Sequence, residues 1–326
     1  MVKLTRERIA NKIWSIIVRK TRYCRIYPFL YRSYWHFLFF RRLTGGQDDV
    51  FYAARPNPGA GIGHQMANWN AGYWWAKQFG SKFAHLPFSK KNWDEFLGFG
   101  EGEKTVKELK EKGYKVRRLP RFDETRPEDV QMQRDIITSY SGMKVVFVAE
   151  QDQSYKNQYG VIEDIQRKFY SAPARKNDHL IYDKNHYNIA IHARRGDIMS
   201  NLNNPNLKMR ILSNQYFFNA LKGALELVKT DKEVHIYFFS QGSPADFPEF
   251  NEFRNLHWCF DMSAQQSFLH MVYADLLITS KSSFSYKPAL LNKGIKVCPK
   301  DFWHGYPNSE DWLLCDGDGE IINFQL

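Results

Sequence analysis

The sequence predicts an α/β protein with two domains that follow a basic helical tail. Its 326 residues allow about two domains at roughly 100–200 residues each. From Val50 onward, apolar runs typical of buried strands alternate with amphipathic helical stretches. This order favours parallel sheets covered by helices on both faces. Hydrophobic residues make up 43% and charged residues 25% of the chain, which excludes a disordered, collagen-like or disulfide-scaffold protein.

Residues 1–46 form a tail that carries almost all of the net charge. Eleven of the 46 Lys and Arg residues lie there against a single acid, so the tail holds +10 of the formal charge of +11. Isoleucines recur in it at helical spacing, at Ile9, Ile13, Ile16 and Ile17. The apolar run 13–18 is too short for a membrane span of about 20 residues and for the apolar part of a signal peptide.

The composition of the tail favours a location on a membrane surface. Aromatic and leucine side chains between Ile26 and Phe40 are interrupted by Arg32 and His36, a mixture suited to the interface of an anionic membrane. The alternative is a helical pair that packs on the body of the protein and leaves its charges in water. We expect the former, on the inner face of the membrane. A nucleic-acid partner is not expected, because the positive charge is not spread over a folded face.

The spacing of the cysteines and the sequence context of the asparagines give information on metal binding and on the cellular compartment. The four cysteines show no CxxC pair and no zinc spacing; they are Cys24, Cys259, Cys298 and Cys315. No Asn-x-Ser/Thr sequence occurs, which disfavours a secreted or Golgi-lumenal protein. We therefore expect a cytoplasmic protein and no metal site.

The body of the chain is predicted in detail from its hydrophobic pattern. Strands are predicted over 50–55, 144–150, 188–192, 234–240, 256–260, 276–280 and 296–299. Helices are predicted over 65–79, 104–112, 161–170, 215–229 and 264–274. The polar stretch 171–184 is the best linker candidate, so the predicted domains are 47–180 and 181–326.

Ligands of such folds bind at the carboxyl ends of the strands, and three loops there carry the candidate site. The first is Asn188-Ile-Ala-Ile-His-Ala-Arg-Arg-Gly-Asp197. Alternation along the strand places His192 and Arg194 on one side, and arginine suits forked contacts to phosphate oxygens. Asp197 is suited to holding an arginine or to accepting a hydroxyl proton. The alternative is a surface turn with solvated arginines.

The second loop is rich in serine and precedes a helix. In the segment Thr279-Ser-Lys-Ser-Ser-Phe-Ser285, followed by Pro288 near the helix start, the hydroxyls of Ser282, Ser283 and Ser285 can cap the helix or donate to an anion. The free amides of the first helical turn attract phosphate. Ordinary helix capping is the alternative, although it needs only one serine.

The third loop, Pro58-Gly-Ala-Gly-Ile-Gly-His-Gln65, lies between a strand and an aromatic-rich helix. Its glycines permit tight turns and close approach of a ligand, but their spacing is not the dinucleotide fingerprint. His64 is a candidate general base because its ordinary pKa lies near neutrality. A capping or packing histidine is equally compatible with the pattern.

Together these loops resemble the fucosyltransferase superfamily, which includes the α1,2-, α1,6- and protein O-fucosyltransferases. The resemblance runs over about residues 50–320 and rests on three motifs in the family's order. They are Gly61-Ile-Gly-His-Gln65, His192-Ala-Arg-Arg-Gly-Asp197 and Ser282-Ser-Phe-Ser285. It implies two Rossmann-like domains of GT-B type, with an acceptor-side domain over 47–180 and a donor domain over 181–326.

The resemblance also implies a metal-independent, inverting transfer of a sugar from a nucleoside diphosphate donor. We expect a fucosyltransferase that uses GDP-fucose and acts on a surface polysaccharide or a lipid-linked glycan, since the basic aromatic tail would bring its site to a lipid-anchored acceptor. The predicted catalytic residues are Arg194, from the resemblance, and Asp197 and His64, from their chemistry. The predicted donor-binding residues are His192, Arg194, Arg195, Ser240, Gln241, Ser282, Ser283, Phe284 and Ser285. The predicted acceptor-side residues are Gly61, Gly63, His64, Gln65 and Asn68. Arg194 would bind the β-phosphate, and no resident cofactor is implied.

Two departures from the family pattern leave the same fold with another nucleotide sugar as an alternative. The strand that ends near Phe239 continues as Ser240-Gln241-Gly242, where family members commonly carry two aspartates. Ser267 stands where many members place an acid that reads guanine. The base is open as well, since His64 replaces the usual Asn and Asp246 is a further acidic candidate. A nucleic-acid-binding protein that uses the tail is the alternative from a different class.

Overall fold

A computed structural model describes residues 6–40, 48–57, 59–149, 157–199 and 203–322. The chain divides into two compact units, the first comprising 1–57, 67–87 and 102–155 and the second 58–66, 88–101 and 156–326. Each unit is built around one sheet of wholly parallel strands in the described ranges. The predicted α/β class with two such sheets is therefore confirmed, and the predicted polar linker 171–184 lies inside the second unit. The boundary between predicted domains at 180/181 stays a prediction.

The strands are numbered in chain order. They are β1 (Val50–Ala54), β2 (Lys82–His85), β3 (Lys104–Thr105), β4 (Lys115–Leu119), β5 (Val145–Ala149), β6 (Tyr187–His192), β7 (Val234–Phe239), β8 (Leu256–Trp258), β9 (Leu276–Ile278), β10 (Ile295–Pro299) and β11 (Trp312–Cys315). All seven predicted strands are confirmed, with ends that differ by up to two residues. The sequence reading missed β2, β3, β4 and β11.

The helices are numbered in the same way. They are α1 (Arg6–Thr21), α2 (Arg32–Phe39), α3 (Ile62–Gln78), α4 (Lys91–Leu97), α5 (Val106–Glu111), α6 (Pro127–Thr138), α7 (Ile162–Ser171), α8 (Pro205–Lys208), α9 (Asn214–Leu227), α10 (Ala264–Tyr273) and α11 (Ser283–Leu291). The helix predicted over 104–112 is wrong for its first two residues, which form β3 because they pair with the end of β2. None of the described helices has the length and apolar character that a membrane crossing requires.

The first unit has the strand order β3-β2-β1-β5-β4. Its centre is the pair β1 and β5, whose residues are all buried and run in register from Val50 opposite Val145. Helices α1 and α2 confirm that the tail is helical, and they pack on this unit. The Ser33 hydroxyl donates to the Arg118 carbonyl at 2.7 Å, and the His36 ring stacks on Tyr140 at 3.8 Å between ring centroids.

The second unit has the strand order β11-β10-β9-β6-β7-β8. The chain runs outward from β6 through β7 to β8 on one side and from β9 through β10 to β11 on the other. The order therefore reverses between β6 and β9, which pair with Ile191 opposite Ile278. Ligands of doubly wound folds bind in the crevice at such a switch point. Both strands are fully buried apart from Tyr187, so their ends are held firmly by the core.

Candidate functional site

The switch point brings together two of the three loops that the sequence singles out. His192, the last residue of β6, lies with its Nδ1 2.9 Å from the Ser280 hydroxyl, which follows β9. The imidazole is buried. Burial, followed by the charges of Arg194 and Arg195, lowers the pKa of His192 to about 3. The ring is therefore neutral at physiological pH, and it joins the two strand ends without adding charge.

Arg194 lies at the start of helix α11. Its Nη1 is 3.5 Å from the Ser282 hydroxyl, and that hydroxyl also accepts a hydrogen bond from the Phe284 amide at 3.2 Å as the helix cap. A helix N-terminus carries a partial positive charge and unsatisfied amides. A guanidinium and a helix N-terminus next to each other make this end of the sheet suited to an anion with several oxygens, such as a diphosphate.

The residues of this serine-rich loop differ in burial and in hydrogen bonding. Ser282 and Ser285 are fully buried, and the Ser285 hydroxyl lies 3.2 Å from the Ser280 amide, whose hydrogen bond it accepts. Their side chains therefore hold the loop in shape. Ser283 and Phe284 are half-buried, and the Phe284 ring lies 5.5 Å from the His192 ring. Ser283 and Phe284 are thus the more accessible residues of the segment, and the donor-binding role of all four stays a prediction.

The Arg195 guanidinium is held by a separate set of contacts. Its Nη2 donates to Asn214 Oδ1 at 2.8 Å and its Nη1 to the Arg194 carbonyl at 3.1 Å. The guanidinium also lies over the rings of Phe217 and Phe247. Burial lowers the pKa of Arg195, while Asp246 and Glu249 act in the opposite direction. Through its hydrogen bond to the Arg194 carbonyl, Arg195 holds the backbone of its neighbour, and its predicted donor-binding role stays a prediction.

The segment after β7 braces the segment after β6. The Ser240 hydroxyl donates to the Ala193 carbonyl at 2.8 Å. Gln241 lies so close to Gly196 that a Cβ there would come within 1.6 Å of Gln241 Oε1. Gly196 also has a positive φ of 61°, a backbone conformation that favours glycine, whereas the flexible end of Gln241 could move aside for a larger residue. Ser240 and Gln241 therefore shape the loop that carries Arg194. Asp246, a candidate base, accepts from the Ser243 amide at 2.7 Å as a turn cap.

The glycine-rich loop packs against the start of α11 within the second unit. A Cβ on Gly63 would lie 2.6 Å from the carbonyl carbon and oxygen of Ser283, so only glycine allows this approach. Gln65 is buried; its Nε2 donates to the Ala60 carbonyl at 2.8 Å, and its Oε1 accepts from the Ser89 amide at 2.8 Å. Gly61 is exposed, with open space at its Cβ position.

Three predicted residues have other placements. His64 is half-buried in the first turn of α3. Asn68 is buried in the first unit, where its Oδ1 accepts from the Asn57 amide at 3.1 Å. The backbone of Asp197 lies in the short 3-10 helix Gly196–Ile198, but its side chain lies outside the described residues. Their catalytic or acceptor-side roles stay predictions.

Sequence reasoning missed two groups of polar residues. Asn214 holds Arg195, as described, and its Nδ2 donates to the Asp246 carbonyl at 2.7 Å. At the opposite end of the sheet, His186, Glu233 and His235 bring potential metal-ligating atoms within 4.8 Å of one another. The expectation of no metal site rested on cysteine spacing and did not consider this cluster. The pattern Glu233-Val-His235 at the start of a strand was the available signal, since alternate residues share a face.

Comparisons with known proteins give likenesses to solved structures alone. No family model matches the sequence, and no curated protein matches it. The fold is similar to POFUT1 in complex with GDP-fucose (12% identity, TM-score 0.47, 84% of this chain and 99% of that one). It is similar to an Arabidopsis thaliana FUT1 mutant with GDP (10%, 0.46, 95% and 82%). It is also similar to NodZ α1,6-fucosyltransferase co-crystallised with GDP (12%, 0.40, 76% and 93%).

Proposed function

We propose that this chain is a glycosyltransferase that takes its sugar from a nucleoside diphosphate sugar. The observation that carries the proposal is the position of Arg194, whose guanidinium lies 3.5 Å from the capping hydroxyl of α11 at the switch point of the second sheet. Guanidinium and helix amides together offer fixed hydrogen-bond donors to a diphosphate. His192, being neutral, leaves the positive charge at that point to Arg194 and the helix.

The transfer follows from this arrangement. An acceptor hydroxyl oxygen bonds to the anomeric carbon, and the bond from that carbon to the β-phosphate oxygen breaks. Its electron pair stays on the diphosphate, and the hydroxyl proton passes to a base. Donors already aimed at the diphosphate stabilise the negative charge as it develops, without reorganisation during the step. Attack opposite the leaving group inverts the anomeric centre. His64 and Asp197 remain the candidates for the base.

The donor we propose is GDP-fucose, with no metal required for transfer. Support comes from the three motifs that resemble the fucosyltransferases and lie in the same order along the chain. Ser267 and Gln241, which depart from that pattern, leave other nucleotide sugars as the alternative.

Ligand-induced thermal stabilisation tests the donor directly. The purified chain is heated with GDP, UDP, CMP and their common sugars, with EDTA present. A ligand at 100 times its dissociation constant adds about 2.7 kcal/mol to the free energy of unfolding. We expect stabilisation by GDP and GDP-fucose alone. A response specific to UDP would change the donor, and no response to any nucleotide would refute the transferase proposal.

We further propose that helices α1 and α2 hold the protein on an anionic membrane, where a lipid-linked glycan or a growing surface polysaccharide is the acceptor. Of the sixteen large hydrophobic side chains exposed among the described residues, ten lie between Ile9 and Phe40. On α1, Val18 is buried in a cluster with Tyr27 and Tyr31 of the same tail, while Ile13 is exposed. One face of this helix therefore packs and another presents isoleucines beside basic residues, the pattern of an interfacial helix.

Vesicle binding separates this surface from ordinary exposed hydrophobic residues. Ile13 is 53% exposed and Ile181, in the second unit, is 54% exposed, so they form a matched pair. We expect Ile13→Glu to weaken binding to vesicles that contain phosphatidylglycerol and Ile181→Glu to leave it unchanged. The proposal would be contradicted if the two substitutions weakened vesicle binding equally. It would also be contradicted if the unaltered chain bound neutral vesicles as strongly as anionic ones.

A further inference from the structure

A cluster of imidazole and carboxylate groups lies at the amino ends of β6 and β7, at the far end of the strands from Arg194. His186 directly precedes β6, Glu233 directly precedes β7, and His235 is the second residue of β7. The parallel pairing of the strands, with Tyr187 opposite Val234, sets His186 beside this segment. His186 and His192 are six residues apart, so the two ends of the strand are separated by roughly 20 Å.

The geometry of this cluster is close to that of a metal site. Glu233 Oε2 lies 3.8 Å from His186 Nε2 and 3.7 Å from His235 Nε2. Metal–ligand bonds of about 2.0–2.2 Å place neighbouring ligand atoms of a tetrahedral zinc ion roughly 3.3–3.6 Å apart. The carboxylate is therefore close to ligand spacing from both histidines, and all three ligand atoms lie within 4.8 Å of one another. Two imidazoles and one carboxylate form a ligand set suited to first-row transition metals.

Neighbouring groups hold the ligands in orientation. Asn255 Nδ2 donates to the other carboxylate oxygen, Glu233 Oε1, at 2.9 Å. His235 Nδ1 lies 3.0 Å from His257 Nε2, and when Nδ1 is the donor, the His235 Nε2 lone pair faces Glu233. Outer partners such as Asn255 and His257 fix tautomer and ring orientation in metal sites. The rings of His186 and His235 stack at 3.8 Å with 9° between their planes, so one of the two rings has to turn before both can bind one ion.

Two buried nitrogens in the cluster lack a partner. His235 Nε2 and His186 Nδ1 have no hydrogen bond within the described part of the chain. Of the two, His235 Nε2 is the atom that faces the carboxylate, whereas His186 approaches Glu233 through its other nitrogen, Nε2. A buried polar atom without a partner is costly, and a water or an ion commonly accounts for it. The cluster is also open on one side, since the Glu233 side chain is 61% exposed and that of His186 25%. An ion can therefore enter and keep water in its remaining position.

We propose that His186, Glu233 and His235 bind one divalent transition-metal ion of the zinc class and thereby tie the amino ends of β6 and β7 together. The ion stabilises the second sheet at the end remote from the nucleotide site. It takes no part in the proposed sugar transfer. We do not expect Mg²⁺ or Ca²⁺ to bind here, because both ions prefer sites whose ligands are oxygen atoms.

Equilibrium dialysis of the full-length, tag-free chain against Zn²⁺ tests the proposal. We expect one Zn²⁺ per chain, a higher unfolding temperature with Zn²⁺, and neither effect with Mg²⁺. His235→Asn and Glu233→Gln should each raise the dissociation constant at least about 10-fold, since losing even an outer partner typically costs about that much. His179→Asn, at an exposed histidine of the same unit, is the matched control and should bind as the unaltered chain does.

Two results would overturn the proposal. One is Zn²⁺ binding no stronger than Mg²⁺ binding. The other is Zn²⁺ binding that His235→Asn and Glu233→Gln leave intact, which would place the ion elsewhere. Co²⁺ in place of Zn²⁺ identifies such a site, because thiolate ligands add a near-ultraviolet charge-transfer band that imidazole and carboxylate ligands do not. Circular dichroism of each variant before metal addition shows whether a loss of binding reflects a loss of fold.

Discussion

The two ends of strands β6 and β7 carry opposite chemistry on one scaffold. The carboxyl end presents hydrogen-bond donors and positive charge, from Arg194 and the start of α11. The amino end presents lone pairs, from His186, Glu233 and His235. The buried strands between them fix both sets of side chains. If our two proposals hold, one sheet keeps an anion site and a cation site apart, each formed from residues distant in sequence.

Substitution of Arg194 should have the largest effect of the changes considered. It should impair sugar transfer at the carboxyl end of the strands and leave the amino end unaffected. In Arg194→Ala the diphosphate loses a fixed positive charge in the transition state, and loss of one such donor typically lowers kcat about 10²–10³-fold. Transfer of radiolabelled fucose from GDP-fucose measures this. Zn²⁺ binding at the amino end should not change.

The control for this experiment is Arg254→Ala, at an exposed arginine of the same unit. It should transfer fucose at the rate of the unaltered chain. Near-normal turnover by Arg194→Ala would show that the diphosphate does not bind at the switch point. A parallel loss of Zn²⁺ binding would show that the substitution disturbs the sheet as a whole.

The histidine at the carboxyl end should make the protein sensitive to acid. The pKa of His192 is about 3 in the folded protein and about 6.5 in an unfolded chain. Between these values the unfolded state binds more protons, so stability falls as pH is lowered from 6.5 towards 3. His192 alone should lower the free energy of unfolding by about 3 kcal/mol at pH 4 relative to pH 7, since each unit of pKa shift corresponds to about 1.36 kcal/mol.

Urea unfolding at a series of pH values measures this dependence. His270 and His304 also have lowered pKa values because of burial, so the loss in the unaltered chain is larger than that of His192 alone. The unfolding free energy is plotted against pH for the unaltered chain and for its His192→Asn variant. The difference between the two pH dependences is the contribution of His192. If the two dependences were identical, folding would leave the pKa of His192 unchanged, and our electrostatic description of the anion site would be wrong.

The sequence reveals a strand, and therefore the position of its end, where the strand is buried and forms a continuous apolar run. That signal found β1, β5, β6, β7 and β9, and with them Arg194 and Ser282. It could not find β4, since Lys115–Leu119 is partly exposed and carries three charges. Nor could it pair His186 with His235, because their proximity depends on the register of β6 against β7 rather than on local sequence. Long-range register is what the structure adds.

The smallest expected effect concerns how closely the glycine-rich loop approaches the carboxyl end. In Gly63→Ala the new methyl group would meet the Ser283 carbonyl at 2.6 Å, and two backbone segments have to separate. We expect a loss of about 1–3 kcal/mol in unfolding free energy, typical of overpacking, and weaker GDP binding because the start of α11 moves. Gly61→Ala, which meets nothing within 4 Å, should be neutral or slightly stabilising. Equal GDP affinities in the two variants would mean that the loop supports the fold without shaping the nucleotide site.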